Sequence, residues 1–267
     1  MRVLIIGLGH IGHSIGQGLV DSPFAVVGCD RNPNKVERFT RVTGFEASDS
    51  WKHLLKDSDV IMLSVRTDQV NSWIDEAREA LASDQILVCL SAGINLRSIL
   101  DQLGPSGVAA RRAIANINVA VRSGCTVLMM SEDAADSDPL VPLFEYMGQV
   151  IQVGTDEELD RLSVLPGCAP GGVALFLEGL VEFGVRSGFS DRRALELALA
   201  SVEASAAAMR QLDIPPVEFK RYSASPGGFV DRLLDDAQSH RVGGTAGEWF
   251  DHILRHLTGG RPSAESK

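Results

Sequence analysis

Apolar residues along this chain fall into two rhythms. Through about residue 154 they come in short unbroken runs: 3–7 (VLIIG), 25–30 (AVVGCD), 59–65 (DVIMLSV), 85–91 (QILVCLS) and 110–117 (ARRAIANI), then 125–130 (CTVLMM) and 149–153 (QVIQV). Aliphatic and β-branched runs of this length predict strands buried on both faces. Residues 10–21, 32–42 and 69–82 lie between them and mix polar and apolar positions at helical spacing. Asn32 before Pro33 reads as an N-cap followed by proline at the first helical position. Strand and helix in alternation predict an α/β fold, a doubly wound, mostly parallel sheet with helices on both faces.

After residue 154 the period changes to that of a helix. Val173, Phe176, Leu177, Leu180 and Val181 form one apolar stripe. Gly188 reads as the residue just past that helix, and Ser190 as the cap of the next. That next helix, 191–211, is apolar almost all round, which predicts burial inside the domain or between subunits. The polar tail 261–267 reads as loose. The expected organisation is therefore an α/β domain over 1–154 and an all-α domain over 155–267.

Charge and cysteine content narrow the partners. The formal charge of −10 disfavours nucleic acid. Cys29, Cys89, Cys125 and Cys168 form no C-x-x-C pair, so four reduced thiols in a cytoplasmic protein are expected, with no metal site. Only four apolar residues precede Gly7, too few for a signal peptide. The apolar stretch at 173–181 is broken by Glu178 and Gly179, so no membrane span is expected, a span needing about 20 residues.

The candidate chemistry begins at the first strand. Gly7, Gly9 and Gly12, with Leu8, His10 and Ile11 between them, make G-x-G-x-x-G between a strand and a helix. Such a Rossmann-type dinucleotide site uses the first glycine for a tight turn, the second for close approach of the pyrophosphate and the third for helix–strand packing. Asp30 stands where an acidic residue would accept the two ribose hydroxyls of NAD, and Arg31 beside it could take the 2′-phosphate of NADP. Asp30 favours NAD. His10 and His13 read as loop or helix-surface polarity.

Further stretches resemble the pyrroline-5-carboxylate reductase family over nearly the full chain. They are GLGHIG (7–12), LSVRTDQV (63–70), LSAGINLRSIL (90–100), ARRAIANINVAVRSGCTVL (110–128), SVLPGCAPGGVALFLEGL (163–180) and SASPGGFV (223–230). The resemblance implies an NAD(P)H-dependent reductase that converts a cyclic imine carboxylate to the amine in proline biosynthesis. It implies that Gly7 through Gly12 hold the pyrophosphate and that Asp30 and Arg31 face the adenosine ribose. Ser64, Val65 and Arg66 would lie along the cofactor, and Ser91, Ala92, Gly93 and Asn116 near the nicotinamide. Ser225, Gly227, Gly228, Phe229, Val230 and Cys168 would face the substrate, and the helical domain would form a homodimer.

The residues of the SPGG stretch point the same way. Ser225 can cap a helix whose first residue is Pro226, leaving the N–H groups of Gly227 and Gly228 open to a carboxylate. The family's two threonines after P-G-G are here Phe229 and Val230, and Ala115, Ile117 and Asn118 depart from its M-P-N-T-P segment. A related imine, or a carbonyl compound, therefore also fits as substrate. A protonated imine needs little acid catalysis; for a carbonyl, Tyr222 is the candidate proton donor. The front motifs also resemble prephenate dehydrogenases, and an NAD(H)-binding protein without turnover is the remaining alternative.

Overall fold

The computed structural model describes residues 1–130, 138–239 and 242–257; the tail 261–267 lies outside them. The described residues form two compact units, Met1–Pro170 with 254–257, and Gly171–Ile253.

The first unit alternates β1 (Arg2–Ile6), α1 (His10–Gly18), β2 (Ala25–Cys29), α2 (Pro33–Thr43), β3 (Glu46–Ser48), β4 (Val60–Leu63), α3 (Thr67–Ala77), β5 (Ile86–Cys89), α4 (Leu96–Leu103), β6 (Ala109–Ala115), β7 (Gly124–Met129), α5 (Leu140–Glu145) and β8 (Gly148–Val153). The eight strands make one sheet in the order β3-β2-β1-β4-β5-β6-β7-β8. All neighbours are parallel except β6 and β7. Alternate residues of β1 serve opposite cores: Val3 and Ile5 join one apolar cluster with Ile15 and Phe39, while Leu4 and Ile6 join another with Ile61 and Ile74. That two-sided burial explains why the strands read as unbroken apolar runs. Asn32 caps α2 as expected, its side chain accepting from the Asn34 N–H at 3.0 Å, with Pro33 at the start. Three short elements, β3, α4 and α5, carry too few residues to show a period.

The largest fully buried side chain is a cation, Arg112 on β6. It bridges Asp156 at 2.5 Å and Asp160 at 2.8 Å, and Asp156 also accepts from the Leu96 N–H. Both carboxylates stand in the first turns of α6 (Asp156–Arg186), where acidic groups are also favoured by the helix dipole. The cluster ties the start of α4, the middle of β6 and the start of α6 together.

Helix α6 is continuous through Pro166 and Pro170 and begins well before the apolar stripe at Val173. Proline inside a helix removes an i→i−4 hydrogen bond. Here the carbonyl that Pro170 leaves unpaired, that of Pro166, accepts instead from Asn116 Nδ2 at 3.0 Å. As one helix, α6 is long and apolar enough by length and composition to cross a membrane, with mean hydropathy 1.6 in its most apolar window. Glu178 and Gly179, which interrupt the apolar run at 173–181, lie within this helix.

The second unit continues with α7 (Asp191–Leu212), α8 (Pro216–Ser223), α9 (Phe229–Ser239) and, running on to Leu257, α10 (Val242–Leu257). The end of α6 is a Schellman motif: Gly188 has φ +93°, its N–H meets the Val185 carbonyl, and the Phe189 N–H meets that of Gly184. Ser190 then caps α7 through the Arg193 N–H. The two helices touch closely at Gly184, where an added Cβ would lie 2.7 Å from that of Ala194. Burial of α7 inside this chain is limited to Ala194 and Ala198; Leu195, Leu197 and Leu199 are exposed, as are Leu175, Phe176 and Phe183 of α6. The expected burial of this helix is thus not met by contacts within one chain.

Candidate functional site

The strand order reverses between β1 and β4, and ligands of such sheets bind at the carboxyl ends beside that switch. A cleft of about 910 Å³ opens there, with Gly7, Gly9, Asp30, Arg31, Ser64 and Arg66 among its walls.

The three glycines divide the work. Gly7 has φ +92°, and a Cβ on it would sit 2.7 Å from the Ser64 carbonyl oxygen. A Cβ on Gly12 would lie 2.0 Å from the Gly7 carbonyl oxygen and 2.5 Å from Ser64 Oγ, so α1 packs directly on the turn. At Gly9 an added Cβ meets nothing within 4 Å: this position borders open cleft. Gly9 is the N-cap of α1 and has no side chain to occupy the first N–H groups of the helix, which remain available to an anion along with the positive end of the dipole. Leu8 turns its side chain into the core, His10 is exposed and Ile11 half-buried. His13 is buried edge-on against Phe39, ring centroids 6.0 Å apart, so it is core packing and not surface polarity. Burial, and then the nearby Arg38 charge, lowers its pKa and keeps the ring neutral.

Asp30 is already engaged. Its Oδ2 accepts from the Leu8 N–H at 2.9 Å and from Lys35 Nζ at 3.0 Å, and its Oδ1 from the Asn32 N–H at 2.9 Å. Burial alone would raise the pKa of this carboxyl, but those hydrogen bonds and the Lys35 charge outweigh it and hold the pKa below the ordinary value. Three of a carboxylate's roughly four acceptor positions are thus filled. Arg31 stands exposed on the rim with no ion pair among the described residues, whereas Arg66 pairs with Asp68 at 3.2 Å. Cys29 also lines the cleft, but burial, then Asp30 and Asp49, pushes its thiol up to about 12, which keeps it protonated.

The strand-end loops hold one another in place. Ser64 Oγ donates to the Gly7 carbonyl at 2.7 Å, Ser91 Oγ to the Val65 carbonyl at 2.6 Å, and Thr67 Oγ1 to the Ala92 carbonyl at 2.9 Å. Gly93, at φ +75°, turns the chain out of that loop. Asn116 is buried, with Oδ1 accepting from the Cys125 N–H and Nδ2 donating to Pro166. Cys168 lies half-exposed on α6 in this same unit.

The remaining candidates belong to the second unit. The stretch at 225–228 is a turn and not the first turn of a helix: Gly228 N–H meets the Ser225 carbonyl at 2.8 Å, and Gly227 has φ +71°, outside helical geometry. Nor is the Gly227 N–H open, since Asp231 Oδ2 accepts from it at 2.8 Å. Helix α9 starts at Phe229, whose side chain is 90 % exposed; Val230 follows it, and Tyr222 is exposed at the end of α8. Lys35 and Thr67 were not singled out in the sequence. Lys35 is legible afterwards, being five residues beyond Asp30 at the start of α2.

Known proteins agree with this arrangement. The family model described as NADP oxidoreductase coenzyme F420-dependent matches residues 2–93, and that described as pyrroline-5-carboxylate reductase dimerisation matches residues 156–257. A pyrroline-5-carboxylate reductase from Arabidopsis thaliana is 28 % identical over 237 residues, covering 85 % of this chain and 83 % of its own. One from Mycobacterium leprae is 26 % identical over 264 residues, covering 89 % of each. The chain is similar to the pyrroline-5-carboxylate reductases over most of its length. The fold matches the crystal structure of Plasmodium falciparum pyrroline carboxylate reductase with NADP bound, at a TM-score of 0.86 and 19 % identity over 98 % of both chains. The cleft lies in the sheet unit, and the match to the dimerisation model begins with α6.

Proposed function

We propose that this chain is an NAD(P)H-dependent reductase of a cyclic imine carboxylate, pyrroline-5-carboxylate or a close relative. The observation that carries the reading is the glycine cradle with Gly9 open to the cleft at the start of α1, in a chain that aligns with reductases over more than four-fifths of their length. The dihydronicotinamide, when bound, supplies the hydride. The chain's own part is to bind and orient. The α1 N-terminus takes the pyrophosphate, and the bonds from Ser64, Ser91 and Thr67 keep the strand-end loops in one geometry. A protonated imine is electrophilic without a general acid, so Tyr222 is needed only if a carbonyl is reduced. With Gly227 and Gly228 engaged, the N–H groups of Phe229 and Val230 in the first turn of α9 are the donors left for a substrate carboxylate.

Cofactor binding is assigned to residues 1–154, and dimerisation with substrate binding to 155–267; family models ending at 93 and starting at 156 support that division. The homodimer reading also draws on the apolar groove between α6 and α7, lined by Ala174, Leu177, Val181 and Leu195. The free thiols accord with a cytoplasmic location. The NAD preference read from Asp30 required a carboxylate free to accept two hydroxyls. The engaged Asp30 and the exposed Arg31 support acceptance of a ribose phosphate as well.

The test is oxidation of NADH and NADPH, followed separately, with pyrroline-5-carboxylate and the purified protein. Turnover with either is expected. Arg31→Ala should raise KM for NADPH and leave that for NADH. Tight binding of both cofactors with no oxidation would overturn the assignment of substrate.

A further inference from the structure

The loop between β5 and α4, residues 90–95, is tied down along its length. Ser91 Oγ donates to the Val65 carbonyl, and the Ala92 carbonyl accepts from Thr67 Oγ1. Its first half is thus bound to the loop after β4, whose Val65 and Arg66 wall the cleft. At the far end Asn95 caps α4 through the Ser98 N–H, and the Leu96 N–H reaches both carboxylate oxygens of Asp156 at 3.1 Å, across 60 positions of sequence. Between these ends Gly93 is exposed, and a Cβ on it would meet nothing within 4 Å. The loop is held at its ends and bare at its turn. Asp156 is itself held by Arg112, the fully buried cation of β6, which also pairs with Asp160. Buried ion pairs commonly return no more stability than apolar packing of the same volume, and here Arg112 Nε–H finds no acceptor among the described residues. What a fixed cation supplies and apolar packing does not is an oriented carboxylate, in this case one aimed at Leu96.

We propose that Asp156 is a positioning residue for the reduction: oriented by Arg112, it fixes the Leu96 N–H and with it the loop 90–95, against which the nicotinamide half of the dinucleotide is set. This rests on the reductase reading above. With the pyrophosphate at Gly9, beside the switch between β1 and β4, a dinucleotide lays one nucleoside on either side. Asp30, at the end of β2, marks the adenosine side. The reacting half therefore passes the carboxyl ends of β4 and β5, where this loop stands. Hydride transfer is sensitive to placement, and a shift of about 1 Å is enough to cost roughly a hundredfold in rate. Asp160 is the comparison built into the molecule. It stands on the same helix, pairs with the same guanidinium and is similarly covered, its side chain 24 % exposed against 30 % for Asp156. The Leu96 N–H, however, bonds to Asp156 and not to Asp160.

The experiment compares Asp156→Ala with Asp160→Ala in the full chain. Amide hydrogen exchange over 90–97 is followed without cofactor, and oxidation of NADH and NADPH with pyrroline-5-carboxylate at steady state. Both variants strip one carboxylate from Arg112. Asp156→Ala should speed exchange at Leu96 and through the loop, and lower kcat at least tenfold, with KM for the dinucleotide within about twofold. Asp160→Ala should change neither exchange at Leu96 nor kcat. Asp156→Asn keeps an oxygen for Leu96 and should recover most of the rate. Asp156→Glu keeps the charge beside Arg112 but carries it one methylene away from Leu96; it should reproduce the loss of kcat, and it decides the matter should the alanine variant not fold. Equal loss of kcat in the two alanine variants makes the cluster a matter of stability alone and overturns the proposal while the reductase reading stands. Faster exchange at Leu96 with an unchanged kcat overturns it as well, and so does a change confined to KM. No turnover by wild type overturns the reductase reading and the proposal together.

Discussion

The side-chain amide of Asn116 reaches 3.0 Å to the carbonyl of Pro166, the carbonyl that Pro170 deprives of its helical donor. The other end of the same amide accepts from the Cys125 N–H at 3.2 Å. One side chain at the end of β6 therefore joins the antiparallel β7 to an interrupted turn of α6. Its buried position is held by two backbone groups that would otherwise lack partners.

Asn116→Ala should leave both of those groups unsatisfied and destabilise the fold by about 1–3 kcal/mol. Pro170→Ala supplies an N–H to the Pro166 carbonyl and should recover part of that loss in the double variant. Denaturant unfolding of the two single variants and the double measures the coupling; strict additivity would contradict the shared carbonyl.

Gly9 and Gly12 should fail in opposite ways. Gly12→Ala forces a Cβ to 2.0 Å from the Gly7 carbonyl oxygen and should cost about 1–3 kcal/mol of stability as overpacking. Gly9→Ala meets no atom within 4 Å, so the thermal midpoint should hold. Its methyl group faces the phosphate path, however, and should weaken dinucleotide binding by roughly tenfold, about 1.4 kcal/mol. Thermal unfolding beside cofactor titration separates the two.

Asp30 should make stability depend on pH at the acid end. Its native pKa lies below the ordinary value, so its contribution is complete above the unfolded pKa of about 3.9 and is lost as pH falls through the native one. Asp30→Asn should therefore lower stability at pH 7, and the gap to wild type should close on acidification below about pH 4. A gap that stays constant down to pH 2 would show that the carboxylate is not what ties Leu8, Asn32 and Lys35 together.

Phe183 of α6 is 64 % exposed in the single chain, next to further exposed apolar residues such as Phe176. If a second copy covers this surface, Phe183→Glu should convert a dimer to a monomer with an unchanged helical content. Sedimentation velocity checks the first, far-ultraviolet circular dichroism the second. A variant that remains dimeric would place the subunit contact elsewhere.

The sequence by itself determined whatever depends on neighbours a few residues apart. Buried strands announce themselves as aliphatic runs, the Asn32-Pro33 and Gly188–Ser190 signals mark helix ends, and G-x-G-x-x-G identifies the cradle, because each is a local backbone requirement. Tertiary structure decided which polar groups are left free. Asp30 reads as a ribose acceptor until the Leu8 N–H, twenty-two positions away, is found on its carboxylate. Pro170 leaves the Pro166 carbonyl without a helical donor, and only the fold brings Asn116, fifty positions away, to satisfy it. The serine turn at 225–228 reads as an open anion site until Asp231 is seen on Gly227. Trp51 and Trp73 share no spacing rule and meet only because parallel strands bring their carboxyl ends to one edge. Hydrogen-bond partners chosen across the fold cannot be read from local pattern, since pattern records the preference of a residue for an environment and not which group in that environment reaches it first.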